Sequence, residues 1–165
     1  MRWFVPLAAA LLAAPSFSAD FVDGLEAYDA GRYADALAEW RALAAEGHLD
    51  SMVAIAGLYE AGAGVTRDYR QAAHWYRRAA DCGHVVAQLN LGDLYGRGQG
   101  VQRDLVWADV YLSRAVAQGN GWARERRAAI RAIMTAKEKA AAARRLSDGG
   151  VSCPAESGGP PEDGS

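Results

Sequence analysis

The fold is decided by the 36 residues from Leu49 to His84, LDSMVAIAGLYEAGAGVTRDYRQAAHWYRRAADCGH, because the chain then repeats their pattern. The next 36 residues, from Val85 to Asn120, read VVAQLNLGDLYGRGQGVQRDLVWADVYLSRAVAQGN. Identical residues occupy equivalent positions in both copies, among them Leu58 and Leu94, Tyr59 and Tyr95, Gly62 and Gly98, Gly64 and Gly100, Asp68 and Asp104, and Gly83 and Gly119. A fixed period of this length predicts a stack of small units, none of which buries its apolar face alone. Such a stack indicates a binding surface.

Each unit contains two helical patterns separated by a glycine-rich turn. In the second copy, Ala87, Leu91 and Tyr95 fall at helical spacing, which predicts a first helix with one apolar stripe. Asp104 is placed to cap the N-terminus of the second helix, and Gly119 is placed to end it. The second helix combines alanines with large aromatic residues, which lets neighbouring helices approach closely and interlock.

This unit resembles the Sel1-like repeat, a branch of the tetratricopeptide superfamily. The first copy carries the pattern at Ile55, Tyr59, Gly62, Gly64, Val65, Asp68, Ala72, Trp75, Tyr76, Ala79, Ala80 and Gly83. The second copy keeps most of these residues but replaces the Trp-Tyr pair by Tyr111 and Leu112. The resemblance implies an all-α fold, a short right-handed α/α solenoid of antiparallel helix pairs, and a scaffold role in assembly, secretion or stress signalling.

The repeats at 49–84 and 85–120 are flanked by two segments that we interpret as caps of the stack. Residues 19–48 resemble a shorter, tetratricopeptide-like unit whose glycine loop has shrunk to Gly31. Residues 121–147 predict a C-terminal pair of capping helices. Asn120 is placed to cap the first of them, and Thr135 and Glu138 have the spacing of a capping box at the second.

Three large apolar side chains of the first C-terminal helix, Trp122, Ile130 and Ile133, are available to cover the last repeat. Eight basic and two acidic residues lie between Asn120 and Leu146, against nine acidic and two basic residues between Asp20 and Gly64. This asymmetry is compatible with a charge dipole along the stack, but solvated helix faces explain most of these charges better.

Both ends of the chain carry compositional signals. Residues 1–18 have the pattern of a signal peptide, with one basic residue, a short apolar run and small residues at the cleavage position. Residues 148–165 are rich in Gly, Pro, Ser and acids and predict a disordered tail. The sequence therefore predicts a periplasmic or secreted protein without an integral membrane span.

Cys82 and Cys153 are the only cysteines. In an exported protein, two cysteines often pair, and this pair would tie the tail to the end of a repeat helix. The alternative is a small buried side chain at Cys82 and an unpaired Cys153 in the tail.

The spacings that catalysis demands are absent from the sequence. There is no H-E-x-x-H helix, no G-x-S-x-G turn and no Gly-Lys-Ser/Thr phosphate loop, so we predict no catalytic residue, no cofactor and no metal site. His48 and His84 lie one period apart after helix-ending glycines, which favours a shared structural position over zinc binding.

Partner binding is predicted on the first helices of the repeats, which by resemblance line the concave surface. Asn90, Asp93 and Arg97 lie on one side of the second copy, away from the apolar stripe. The equivalent residues of the first copy are small and predict a shallow trough; they are Ala54, Gly57 and Ala61. The sequence thus predicts a non-enzymatic adaptor for a protein or peptide of the cell envelope, with an ordinary solvated surface as the alternative.

Two other functions fit parts of the sequence. The first is a protein that binds or hydrolyses cell-wall material or β-lactams, to which some secreted cysteine-rich relatives are linked, but this chain lacks their repeated cysteine pairs. The basic C-terminal helices, with Arg124, Arg126, Arg127, Arg131, Arg144 and Arg145, suit contact with anionic lipid. Export argues against a nucleic-acid partner.

Overall fold

The computed structural model describes residues 20–149 and Cys153, and this part of the chain forms eight α-helices and no strand. In chain order the helices are α1 (Phe21–Asp29), α2 (Tyr33–Ala45), α3 (Leu49–Ala61), α4 (Tyr69–Asp81), α5 (Val85–Arg97), α6 (Leu105–Ala117), α7 (Gly121–Ile133) and α8 (Ala136–Ser147). The predicted signal peptide, 1–18, and most of the predicted tail, 148–165, lie outside the described residues.

The helices pack as antiparallel neighbours in a stack. α1 packs on α2, α3 on α4 and α5 on α6, and each pair continues into the next through α2 with α3, α4 with α5 and α6 with α7. α8 closes this end of the stack by packing on α6. The predicted all-α solenoid of helix pairs is confirmed.

The starts of the helices are set by caps that recur with the period of the sequence. At the first helix of each unit, the side chains of His48, His84 and Asn120 accept hydrogen bonds from the backbone amides of Ser51, Ala87 and Ala123. At the second helices, Asp68 and Asp104 each accept two backbone N–H groups, as predicted. The period therefore extends beyond Asn120, and α7 begins as a further unit of the stack.

α8 begins with the capping box predicted from its sequence. The Thr135 hydroxyl accepts from the Glu138 amide at 3.2 Å, and the Thr135 backbone N–H donates to Glu138 Oε2 at 2.8 Å. The Thr135 backbone N–H is also the main reason that the pKa of Glu138 lies below its usual value. The two residues between α7 and α8 thus separate the helices, and the second of them, Thr135, caps the start of α8.

The loops between paired helices depend on glycine. Gly100 adopts φ +68°, the left-handed region, and a Cβ at this position would overlap the backbone carbonyl of Tyr69. The preceding α5 ends at Arg97, and its C-cap Gly98 is also left-handed at φ +70°. Val65 and Val101 follow the glycine turns of the two repeats and pack against the core.

The core is continuous from α1 to α6 and consists largely of alanines packed between aromatic and aliphatic side chains. Trp40, Trp75 and Tyr76 are each at least 97% buried, while the Tyr95 and Tyr111 rings stack at 5.9 Å between centroids. Smaller apolar clusters continue this packing beneath α7 and α8.

One prediction about the C-terminal cap is wrong. Ile130 packs on the core, but Trp122 and Ile133 are 73% and 59% exposed instead of covering the last repeat. The buried residue near the start of α7 is Ala123. Ala123 and Ile130 are two helical turns apart and face inward together, which turns Trp122 and Ile133 to the outside.

α7 is held on α6 by a buried carboxylate. Asp109 of α6 is fully buried, and its two oxygens lie 2.9 Å from Arg127 Nε and 2.7 Å from Arg131 Nη1. Both arginines belong to the basic segment that the sequence had assigned to solvent. They instead neutralise a carboxylate that could not otherwise be buried at low cost.

Two of the described residues after α8 contact the repeats. A disulfide joins Cys153 to Cys82, the C-cap of α4, with their Cα atoms 4.3 Å apart. The Gly149 carbonyl accepts a hydrogen bond of 3.3 Å from Arg114 of α6. The disulfide closes a loop that contains α5, α6, α7 and α8.

Candidate protein-binding face

The exposed sides of α3, α5 and α7 form one surface, which we call the odd-helix face. Because the N-caps His48, His84 and Asn120 are in register, residues one period apart occupy equivalent positions on these helices. They form four rows, which are Asp50, Val86 and Trp122; Ala54, Asn90 and Arg126; Gly57, Asp93 and Ala129; and Ala61, Arg97 and Ile133. Every one of them is exposed or half-buried.

The residues predicted to bind a partner all lie on this face. Asp93 Oδ2 is 3.7 Å from Arg97 Nη2 on the same helix and 3.5 Å from Arg126 Nε on α7. At the centre of the α3 strip predicted to form a trough, a Cβ added to Gly57 meets no atom within 4 Å, so the space there is open. The structure thus brings the polar patch of α5 beside a smooth strip of α3.

Sequence reasoning missed the contribution of α7. Arg126 extends the polar patch to a third helix, and Trp122 is the most exposed large apolar residue of the described chain. The signal that could have found them is Asn120, which lies one period after His84 and caps the same amide position. Continuing the period through α7 would have placed Trp122 and Arg126 on the face.

A polar cluster supports the centre of the face. Tyr76 of α4 donates a hydrogen bond of 2.9 Å to Glu60 Oε2 at the end of α3 and also interacts with Asn90 of α5. Burial, followed by the charge of Glu60, raises the pKa of Tyr76 well above its ordinary value. The protonated phenol therefore links three helices behind the face. Leu112 occupies the equivalent position of the next copy, where this link is not repeated.

The two repeat histidines have a structural position in common, as the sequence predicted. His84 Nδ1 accepts from the Ala87 amide at 3.3 Å, which requires an unprotonated Nδ1 and leaves Nε2–H to donate to Asp50 Oδ1 at 2.9 Å. His84 thereby connects α5 to α3 across two repeats. No group of three metal-binding side chains occurs among residues 20–149 and Cys153.

A cleft of about 410 Å³ lies between α4, α5 and α6, away from the four rows. It is lined by Arg77, Tyr95, Val101, Gln102, Arg103, Asp104 and Trp107. Arg77 hydrogen-bonds the Tyr95 hydroxyl, and Asp104 already caps α6. These side chains are engaged in the structure of the repeat and include no nucleophile paired with a base.

Most arginines of the C-terminal helices also have partners within the chain. Arg127 and Arg131 bind Asp109, Arg126 lies near Asp93, and the Arg145 guanidinium lies 4.4 Å from the centre of the Trp107 ring. This reduces the charge available for anionic lipid. Within the described part of the chain, no helix has the length and apolar character needed to cross a bilayer.

Stacked helix pairs in a 36-residue register, with an exposed face on alternate helices, define an α/α repeat solenoid. The family description Sel1 repeat matches residues 49–84 and 85–120. The chain therefore contains two Sel1-like repeats, which belong to the tetratricopeptide superfamily. Proteins with these repeats typically act as scaffolds for protein–protein interaction and are generally non-catalytic.

Two solved structures with this fold are similar to the chain. The protective antigen c5321 of uropathogenic Escherichia coli, which displays an SLR fold, has a TM-score of 0.71 at 29% identity over 75% of this chain and 27% of its own. A Sel1 repeat protein from Oxalobacter formigenes has a TM-score of 0.60 at 34% identity over 63% of this chain and 42% of its own. The chain thus spans less than half the length of either protein. No curated protein matches it.

Proposed function

We propose that this chain is an exported, non-enzymatic adaptor that holds a protein or peptide of the cell envelope on the concave side of its solenoid, the odd-helix face. The observation that carries the proposal is the Asp93–Arg126 contact of 3.5 Å, which joins the polar patch of α5 to α7. This contact joins side chains of α5 and α7 into one continuous surface. The open strip at Gly57 of α3 lies beside it. Extended surfaces of this kind are what repeat solenoids use to bind partners.

Export is supported by the signal-peptide pattern of residues 1–18 and by the disulfide between Cys82 and Cys153. Structural disulfides persist in oxidising compartments and are rare in the cytosol. Fractionation of cells, with alkylation of free thiols before lysis, tests this part of the proposal. A full-length, alkylated chain in the cytoplasmic fraction would count against export.

The binding function is tested by chemical cross-linking in intact cell envelopes followed by mass spectrometry. The native chain is compared with the triple variant Asn90→Ala, Asp93→Ala and Arg97→Ala. A matched control carries the same types of change at exposed residues outside the four rows, Gln102→Ala, Glu46→Ala and Arg70→Ala.

We expect one envelope protein to be enriched by the native chain and by the control but lost from the odd-helix variant. Equal capture by all three proteins would place the binding surface elsewhere on the molecule. Circular dichroism of the purified variants checks that each retains its helical fold.

A further inference from the structure

The exposed side of α7 carries both apolar and basic residues, which indicates the kind of partner that it could bind. We infer that the partner binds through an acidic amphipathic α-helix that lies along α7, an inference that rests on the proposed function. The carrying feature is the α7 stripe, defined as Trp122, Arg126, Ala129 and Ile133. This stripe is apolar at both ends and basic in the middle.

The apolar side chains at the two ends of the stripe, Trp122 and Ile133, are exposed and do not pack in the core. The large exposed apolar side chains of the described residues are Val22, Leu25, Tyr28, Val86, Trp122 and Ile133, and all six lie on α1, α5 or α7. Trp122 and Ile133 stand at the two ends of α7, eleven residues and therefore about 16 Å apart along the helix axis. Val86 lies beside Trp122 in the same row, so one end of the stripe is a broader apolar patch.

The charge between these ends is positive. Asp93 is the acid nearest to both Arg97 and Arg126, at 3.7 and 3.5 Å, so one carboxylate is shared by two guanidinium groups. Asp50, the other acid of the four rows, is hydrogen-bonded to His84, and Glu60 at the end of α3 is hydrogen-bonded to Tyr76. An additional carboxylate near Arg126 would therefore find an incompletely neutralised partner.

The shape of the face suits a helix. A partner helix rises 1.5 Å per residue, as α7 does, so its side chains can match the spacing of the stripe. A partner helix along α7 would place two apolar residues eleven positions apart on Trp122 and Ile133. Carboxylates at intermediate positions on the same side would then lie opposite Arg126.

The test uses the full chain and fluorescein-labelled synthetic helices. The probe has two Leu residues eleven positions apart, two Glu residues between them on the same face, and Ala and Gln elsewhere. Its two matched controls replace both Glu by Lys, or both Leu by Ser. Binding is measured by fluorescence anisotropy at low and physiological salt against the native chain, Trp122→Ala, Arg126→Gln and Arg124→Gln. Arg124 is exposed on the same helix but lies outside the stripe, which makes it the matched control for charge.

We expect the Glu probe to bind the native chain and Arg124→Gln alike, and each of the other two variants to weaken binding at least tenfold. The Lys and Ser probes should also bind at least tenfold more weakly, and salt should reduce the affinity of the Glu probe. Lack of binding by the Glu probe, or equal effects of Arg124→Gln and Arg126→Gln, overturns the inference. A dimer of the native chain that is detected by sedimentation and abolished by Trp122→Ala would also overturn the inference.

This test is separable from the test of the proposed function. Capture of an envelope partner that depends on Asn90, Asp93 and Arg97, together with no binding of the Glu probe, rejects the acidic helix and retains the adaptor. Failure of both experiments rejects both proposals.

Discussion

The carboxylate of Asp109 on α6, fully buried, lies 2.9 Å from Nε of Arg127 on α7. Arg131 approaches the second oxygen at 2.7 Å. The two arginines are about one-third exposed, so water reaches them but not the carboxylate. Because of this difference in exposure, removing the arginines and removing the carboxylate should have unequal effects on stability.

Removing both arginines should destabilise the protein more than removing the acid. Arg127→Ala with Arg131→Ala leaves a buried carboxylate without a partner, and we expect a loss of about 3–5 kcal/mol in the free energy of unfolding. Asp109→Ala leaves two arginines that water can solvate, and we expect a loss of only about 1–2 kcal/mol. Urea denaturation followed by circular dichroism measures both values. Equal losses would mean that the carboxylate is stabilised by other groups.

Reduction of the Cys82–Cys153 disulfide should lower stability without changing the helical fold. The cysteines are 71 residues apart in sequence, and opening a loop of this length costs about 4 kcal/mol in the chain-entropy description. Guanidinium denaturation with and without dithiothreitol measures the effect. The Cys82→Ser, Cys153→Ser variant should match the reduced native chain and be insensitive to the reductant. An unchanged midpoint on reduction would contradict a stabilising crosslink.

Gly100 and Gly57 form a matched pair for substitution by alanine. Gly100 is left-handed and faces the Tyr69 carbonyl, so Gly100→Ala should cost about 2 kcal/mol and displace the loop between α5 and α6. Gly57 lies inside α3 with open space at its Cβ, so Gly57→Ala should raise stability by about 0.5–1 kcal/mol. Thermal unfolding of both variants reports these opposite signs. Loss of stability in Gly57→Ala would show that the strip on α3 is covered in the folded chain.

The cap that His84 provides and its hydrogen bond to Asp50 can be separated by mutation. His84→Ala removes the acceptor for the Ala87 amide and should cost about 1 kcal/mol. Asp50→Ala removes only the exposed partner of Nε2 and should change stability by less than about 0.5 kcal/mol. Denaturation midpoints at neutral pH measure the two effects. A larger effect of Asp50→Ala would make the contact between repeats, not the cap, the main contribution of His84.

Alkaline pH should destabilise the protein through Tyr76. Because burial raises its folded-state pKa above the unfolded value of about 10, its contribution is fully present below pH 10 and is lost as the pH rises towards the folded value. The unfolded state releases the proton first, so the unfolding free energy falls by up to about 1.4 kcal/mol per pH unit for this group. Tyr76→Phe should reduce this slope, measured by urea denaturation above pH 10, whereas Tyr28→Phe at an exposed site should not. The same slope in all three proteins would exclude Tyr76 as the source.

Local signals in the sequence determined most of the fold. The caps at Asp68, Asp104, Asn120 and Thr135 and the glycine turns around Gly98 and Gly100 act within a few residues of chain, so their spacing predicts where helices begin and end. The period of 36 residues then determines that the units stack in register. Helical spacing within α5 was sufficient to place Asn90, Asp93 and Arg97 on one side of that helix.

The tertiary structure decided the role of α7. Its sequence offers two apolar faces, Trp122 with Ile133 and Ala123 with Ile130, and local periodicity does not distinguish them. The choice is made by long-range contacts, because Arg127 and Arg131 must reach Asp109, which lies 18 and 22 residues earlier in the chain. Burial of that carboxylate turns Ala123 and Ile130 inward and leaves Trp122 and Arg126 on the odd-helix face. Charge pairs between distant residues carry no spacing signal, and only the packed solenoid shows which arginines are engaged and which remain for a partner.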